Sequence, residues 1–259
     1  MSNKSAGREA MLPSGDHRPG TSARETDPEV VEKQCVREFF SKRKGGFFVE
    51  VGANDPCSGS QTWLLEQSGW RGILVEPQTA LCEKLRLKRK NSRVFQVACS
   101  APGKEGEATL HIARADGCST LEKQADSHGI EFTGVERVQV TTLDQVLAEA
   151  GNPAIDFLSI DVEGHEIEVM RGFDFRRHHP SLILIEDGVR TLEKHRFLKQ
   201  RGYKLVKRTS LNNWYIPKEQ KFGMTTWFER LKLIRKMYLA LPLRKLRLAL
   251  RRSAHKRAG

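Results

Sequence analysis

Acidic residues close four short apolar runs in this chain, and their placement sets the chemistry available to it. Phe47-Phe48-Val49-Glu50-Val51 leads into the turn Gly52-Ala53-Asn54-Asp55-Pro56. Ile73-Leu74-Val75 ends at Glu76-Pro77, Ile155 to Ile160 ends at Asp161, and Ser181 to Ile185 ends at Glu186-Asp187. A short apolar run bounded by turn residues reads as a buried strand. Parallel strands bring their C-terminal ends to one edge of a sheet, where an α/β protein holds its ligand. Glu50, Asp161, Glu186 and Asp187 should therefore meet at one crevice. His165, four residues past Asp161, falls at the start of the following helix, and its pKa near neutrality suits proton transfer.

The first turn is not a G-x-G-x-x-G: Asn54 and Pro56 stand where a phosphate-cradling turn would have glycine. It serves a pyrophosphate poorly, which argues against a nicotinamide enzyme. A carboxylate beside a single-glycine turn suits a ligand carrying hydroxyls and an ammonium, such as S-adenosylmethionine. Glu50, Gly52, Asn54 and Asp55 would line that ligand, with Gly52 letting the backbone pass close to it. Glu76 lies 26 residues past Glu50, room for one helix between two parallel strands. With Pro77 it stands where α/β sheets hold a ribose.

The elements that must position these groups alternate along the chain. Asp27 caps a helix beginning at Pro28. Strand Phe47–Val51 is followed by a helix over 60–69, strand Ile73–Val75, a helix over 79–90 with its basic residues outward, and a third strand over 94–98. Residues 103–140 form an irregular insertion, read either as a partial lid over the acceptor or as a surface hairpin. A helix from Leu143 to the Gly151-Asn152-Pro153 breaker follows. Then come a strand over 155–160, a strand over 181–185, a helix over 191–202 closed by Gly202, and a terminal antiparallel pair, Tyr203–Val206 with Trp214–Ile216. Such alternation predicts a mostly parallel, seven-stranded sheet with helices on both faces.

Three fragments resemble the FkbM family of S-adenosylmethionine-dependent methyltransferases: Val49-Glu50-Val51-Gly52-Ala53-Asn54-Asp55, Gly72-Ile73-Leu74-Val75-Glu76-Pro77, and Ile160-Asp161-Val162-Glu163-Gly164-His165-Glu166. The resemblance spans roughly residues 36 to 217. It implies a class I Rossmann-like fold and O-methylation of sugars and other hydroxylated natural products. Pro56 and Ser159 depart from it, since the family often has Gly and Lys at those places. A sugar hydroxyl is a weak nucleophile, so a base or a metal should assist. Asp161 is the first candidate base and His165 its competitor; Asp161 could also cap the helix after it. The spacing of Asp161 to Glu186 and Asp187 further resembles the ligand layout of catechol-type O-methyltransferases, which have Asp-Asn at the second position. Oxygen ligands of this kind would take Mg²⁺ or Mn²⁺.

Of the net charge of +12 over 259 residues, residues 225–259 carry +10, leaving +2 for the rest. The chain thus divides into a polar, disordered tail over 1–27, a methyltransferase domain over 28–220, and a basic extension over 221–259. Trp227, Leu231, Ile234, Tyr238 and Leu241 recur at helical spacing among Arg230, Lys232, Arg235 and Lys236. A basic amphipathic helix of this kind fits an anionic membrane surface; a protein partner or the protein's own core ranks next. No nucleic-acid recognition motif is present, and none is expected to bind. Five scattered cysteines form no C-x-x-C pair and read as free thiols in a reducing compartment. With no apolar leader or spanning run, the expectation is a cytoplasmic enzyme held peripherally on the inner membrane face. The acceptor would be a small molecule or glycan. The rival class is a non-catalytic scaffold that keeps the same pocket.

Overall fold

The computed structural model describes residues 27–114, 119–121, 131–188 and 191–239. The expected disordered tail, Asp27 aside, and residues 240–259 of the basic extension lie outside that range. Helix α1 (Pro28–Phe39) starts as its sequence dictates, with the Asp27 side chain accepting from the Glu29 N–H at 2.9 Å and Pro28 in the first turn. Strands β1 (Phe47–Val51), β2 (Arg71–Val75) and β3 (Ser92–Phe95) alternate with helices α2 (Trp63–Gln67) and α3 (Thr79–Lys88). A two-residue strand β4 (Ala98–Cys99) precedes a long hairpin, β5 (Gly106–Ala113) and β6 (Phe132–Thr141). Then come α4 (Leu143–Glu149), β7 (Phe157–Ile160), α5 (Glu166–Arg171), β8 (Leu182–Glu186) and α6 (Glu193–Gln200). The antiparallel pair β9 (Tyr203–Thr209) and β10 (Asn212–Pro217) leads to α7 (Trp227–Ile234), which runs on into a π-helical turn, Arg235–Leu239.

Seven strands make the main sheet in the order β3-β2-β1-β7-β8-β10-β9. All neighbours are parallel except those of β10, which runs against both β8 and β9. The chain builds outward from β1 to β3, then returns to β1's other side with β7. The order therefore reverses between β1 and β7, and a crevice opens at their C-terminal ends.

Alternation along the strands sorts side chains to two cores. Val49, Val51, Ile73, Leu158, Ile160 and Ile183 pack with Leu143, Leu147, Val169, Met170 and Leu198 of α4, α5 and α6. Phe48, Leu74, Phe157, Leu184 and Trp214 pack with Val36, Leu65 and Leu85 of α1, α2 and α3. Glu50 shares the face of Phe48, so its carboxylate enters the side covered by α2 and α3.

The expected third strand over 94–98 is divided. β3 ends at Phe95, while Ala98 and Cys99 leave the main sheet and pair with Val140 and Thr141 of β6. The 103–140 insertion thereby becomes part of a second, three-stranded sheet, β4-β6-β5, with its own small core of Ala98, Leu110, Val138 and Val140. Among the described residues no helix is long and apolar enough to cross a membrane.

Candidate active site

The crevice at the β1/β7 reversal encloses about 1340 Å³ including its open mouth, and its lining includes Glu50, Gly52, Asn54, Glu76, Pro77, Asp161 and His165. One further wall comes from the small sheet, through Leu110, Ala113, Thr120 and Leu121. The insertion is thus both a hairpin and a flank of the crevice. It is tied to the start of α3 by Glu136, which accepts from the Thr79 N–H at 3.1 Å and from the Thr79 hydroxyl.

Glu50 spends both carboxylate oxygens on the protein. Oε1 accepts from the Gln61 N–H at 2.8 Å; Oε2 accepts from Ser60 Oγ at 2.8 Å and Thr62 Oγ1 at 2.6 Å. The Arg89 guanidinium stands 3.8 Å away and is itself wholly buried. It donates to Glu66 at 2.6 Å, to Thr62 Oγ1 at 2.7 Å, to Ser60 Oγ at 3.0 Å and to the Pro56 carbonyl at 3.1 Å. Together these bonds pin the segment from Pro56 to Thr62 over the crevice floor. Arg89 follows α3, whose basic residues the sequence placed outward; this one turns inward, because two buried carboxylates face it.

The turn after β1 is shaped by packing as much as by any ligand. Gly52 has φ +82°, and a Cβ there would lie 1.7 Å from the Asp161 carbonyl oxygen. The missing side chain is what lets β1 and the chain leaving β7 pass, rather than only what lets a ligand approach. Asn54 has φ +46°, a region that Asn tolerates better than most residues. Its N–H donates to Glu76 Oε2 at 3.0 Å, while the Gln78 N–H donates to Glu76 Oε1 at 2.9 Å. Each Glu76 oxygen keeps a lone pair beyond these bonds. Burial pushes the Glu76 carboxyl above its ordinary range. The Asp55 carboxylate turns back to accept from the Cys57 and Ser58 N–H groups at 2.9 and 2.8 Å.

Opposite this turn lies an acidic cluster. Oxygens of Asp161, Glu163 and Glu186 all fall within 4.8 Å of one another. Glu163 joins because the chain turns back after Asp161: Glu163 and Gly164 take φ of +54° and +103°. Asp161 is open to the crevice, but the surrounding walls partly desolvate it, and this together with the neighbouring charges of Glu186, Glu163 and Glu166 raises its carboxyl well above the usual range. Burial and the neighbouring Glu166 raise the Glu186 carboxyl as well. Burial and the same neighbours push Glu163 up to about 7. Lys194 partly offsets this crowding, 2.5 Å from Glu166 and donating to the Glu186 carbonyl at 2.7 Å. These three carboxylates are the oxygen donors that could hold a divalent cation.

Asp187 is not among them. It is buried and accepts from Asn213 Nδ2 at 2.8 Å, because alternation sends it to the opposite face from Glu186. The expected set of Asp161, Glu186 and Asp187 therefore becomes Asp161, Glu163 and Glu186. His165 is buried at the crevice wall with Nε2 3.0 Å from Ser100 Oγ. Cys99 also lines the crevice, but burial pushes its thiol up to about 12, so it supplies no thiolate.

The strand order 3-2-1-4-5-7-6 within the main sheet, with one antiparallel strand and an acid-rimmed crevice at the reversal, is the layout of a class I methyltransferase. Residues 50–205, more than half of the chain, match the Methyltransferase FkbM domain, and the chain belongs to that family. It is accordingly a methyltransferase, with S-adenosylmethionine as the donor the family implies. Among solved structures, it is similar to precorrin-6y C5,15-methyltransferase from Geobacter metallireducens GS-15, with 13% identity over 71% of this chain and 85% of that one and a TM-score of 0.39. A methyltransferase from Geobacter sulfurreducens gives 11% identity, 74% and 83% coverage and a TM-score of 0.41. The Methanococcus jannaschii fibrillarin pre-rRNA processing protein gives 12%, 69% and 69%, and 0.39. Likeness at this level is too distant to bear on the acceptor. No curated protein matches the chain.

Proposed function

We propose that this protein transfers the methyl group of S-adenosylmethionine to a hydroxyl of a sugar, glycan or glycolipid-type acceptor, with Asp161 as the general base. One observation carries the reading: Asp161 faces the same crevice as Glu76, and its carboxyl is held well above the usual range by desolvation within the crevice and by its acidic neighbours. A base with a raised pKa matches the proton of a weakly acidic hydroxyl better than an ordinary carboxylate does. Glu76, bonded from behind by two backbone N–H groups, turns its free lone pairs to the ribose hydroxyls. The turn from Gly52 to Asp55 and Pro77 complete that half of the site. The acidic cluster complements the donor's sulfonium and ammonium. The reaction itself is an in-line displacement, so holding the acceptor oxygen behind the methyl carbon is the larger part of the task.

The test is transfer of labelled methyl from S-adenosylmethionine into glycans and lipids prepared from cells lacking the gene. Asp161→Asn should lower kcat by about 100-fold or more while the donor Kd changes by only a few-fold. Equal turnover by that variant removes Asp161 as the base and leaves His165, the competing candidate on the wall. Chelation of divalent cations decides whether Asp161, Glu163 and Glu186 work with Mg²⁺ or Mn²⁺; unchanged turnover ends that reading. Donor uptake without transfer to any hydroxyl favours the non-catalytic scaffold.

A further inference from the structure

Helix α7 and the turn after it are fixed by one face and bare on the other. The fixed face holds Glu229, Leu233 and Met237. Lys207 Nζ stands 3.2 Å from Glu229, and Met237 is fully buried against Leu192, Leu205 and Leu233. Tyr238 Oη lies 2.8 Å from His195 Nε2, which ties the end of the segment to α6. The Thr226–Glu229 capping box fixes its start.

On the opposite face the usual pattern is inverted. Trp227, Leu231, Ile234 and the half-exposed ring of Tyr238, whose hydroxyl reaches back to the fixed side, fall on one stripe at helical spacing, with Phe228 beside it. They are 66, 44, 52, 46 and 70% exposed respectively. Those five are among only nine large apolar side chains exposed in the described residues. Arg230 borders the stripe on one side, and Lys232 and Arg235 border it on the other; all three are exposed. Among the described residues neither Lys232 nor Arg235 has an acidic partner. Residues 240–259 add seven more Lys and Arg and no acid.

We infer that residues 227–238 seat the protein on an anionic lipid bilayer, with Trp227 and Phe228 entering the headgroup boundary and the flanking cations meeting lipid phosphates and carboxylates. The composition selects this occupant. A tryptophan and a phenylalanine at the leading end of a short stripe bordered by cations match an interface, where rings are half-buried and basic side chains reach the headgroups. The inference stands without the choice of acceptor or of base.

Full-length protein should co-sediment with vesicles of phosphatidylcholine containing 30% phosphatidylserine and stay in solution with phosphatidylcholine alone. Binding should weaken as salt rises. The double substitution Trp227→Ser with Phe228→Ser removes no charge and should weaken binding by about tenfold or more. Lys232→Glu with Arg235→Glu should do the same. Trp227 is the most exposed of the described tryptophans, so vesicles should shift emission to the blue and brominated lipid should quench it; Trp227→Phe should abolish both signals. Undiminished binding by the Ser variant would assign attachment to the basic charges alone and overturn the inference. So would unshifted emission, or a lipid-free dimer that the Ser variant dissociates, which would make the occupant a second copy of this chain.

Discussion

Arg89 shows how much of this site is held by side chains that never meet a substrate. Its guanidinium answers Glu66 directly and Glu50 at 3.8 Å, and it reaches Glu50's hydroxyl partners Ser60 and Thr62 as well. Replacing Arg89 with methionine leaves two buried carboxylates without their cation. That should cost about 3–5 kcal/mol, read as a lower urea midpoint. Arg89→Lys keeps the charge but not the planar five-donor fork, so it should recover only part of the loss. Gly52→Ala tests the same turn from the other side. The added carbon would meet the Asp161 carbonyl at 1.7 Å in a backbone conformation that alanine disfavours. A loss of several kcal/mol is expected, with donor binding lost alongside, since Asn54 and Asp161 both move with that contact. A stable Gly52→Ala protein would show that the two chain segments can part at little cost.

Elements of the fold were legible where local chemistry and periodicity agreed. The Asp27–Pro28 start, β1, the Gly202 helix stop and the terminal antiparallel pair all follow from caps, breakers and apolar runs. Helix α4 is a further case. Thr142 accepts from the Gln145 N–H at 3.2 Å while Gln145 returns a bond to the Thr142 N–H at 3.3 Å, ahead of the buried Leu143, Val146 and Leu147. Thr142→Ala should cost about 1 kcal/mol and lower the thermal midpoint by about 2–4 °C. Elements were less legible where a partner distant in sequence decided the outcome. Nothing local in Val94–Ala98 says that Ala98 will leave for a strand some 40 residues on; Val140 and Thr141 decide that. At the site, the acids at strand ends could be read because strand direction fixes where they gather. Glu163 could not, because it reaches Asp161 only through a left-handed turn, and Val162-Glu163-Gly164 gave just the glycine as a signal. Arg89 was hidden among the basic residues of a helix expected to face water, and only the two carboxylates behind it explain its direction.

The acidic crevice bears on the stability of the whole molecule. Glu163 titrates at about 7 in the folded protein and near 4.5 unfolded; Asp161, Glu186 and Glu76 are raised as well. Between these limits the folded chain binds more protons than the unfolded chain. The stabilisation is therefore fully present below about pH 4.5 and is lost as pH rises through 7. His178 and His195, lowered by burial, pull the other way over part of that range, since the unfolded chain takes up their protons first. Comparing variants isolates the acids. Glu163→Gln cannot ionise, so its thermal midpoint should overtake the wild type's as pH rises from 5 to 8, by about 3–8 °C at the upper end. The same charges should set ligand preference. S-adenosylmethionine carries one more positive charge than its thioether product, so its affinity relative to S-adenosylhomocysteine should rise with pH as the cluster ionises, and Glu163→Gln should flatten that rise. Calorimetry at pH 5.5 and 8 measures both ratios. A ratio that does not change with pH would mean that the cluster does not face the donor, and the acids would then have to be read as serving the acceptor or a metal.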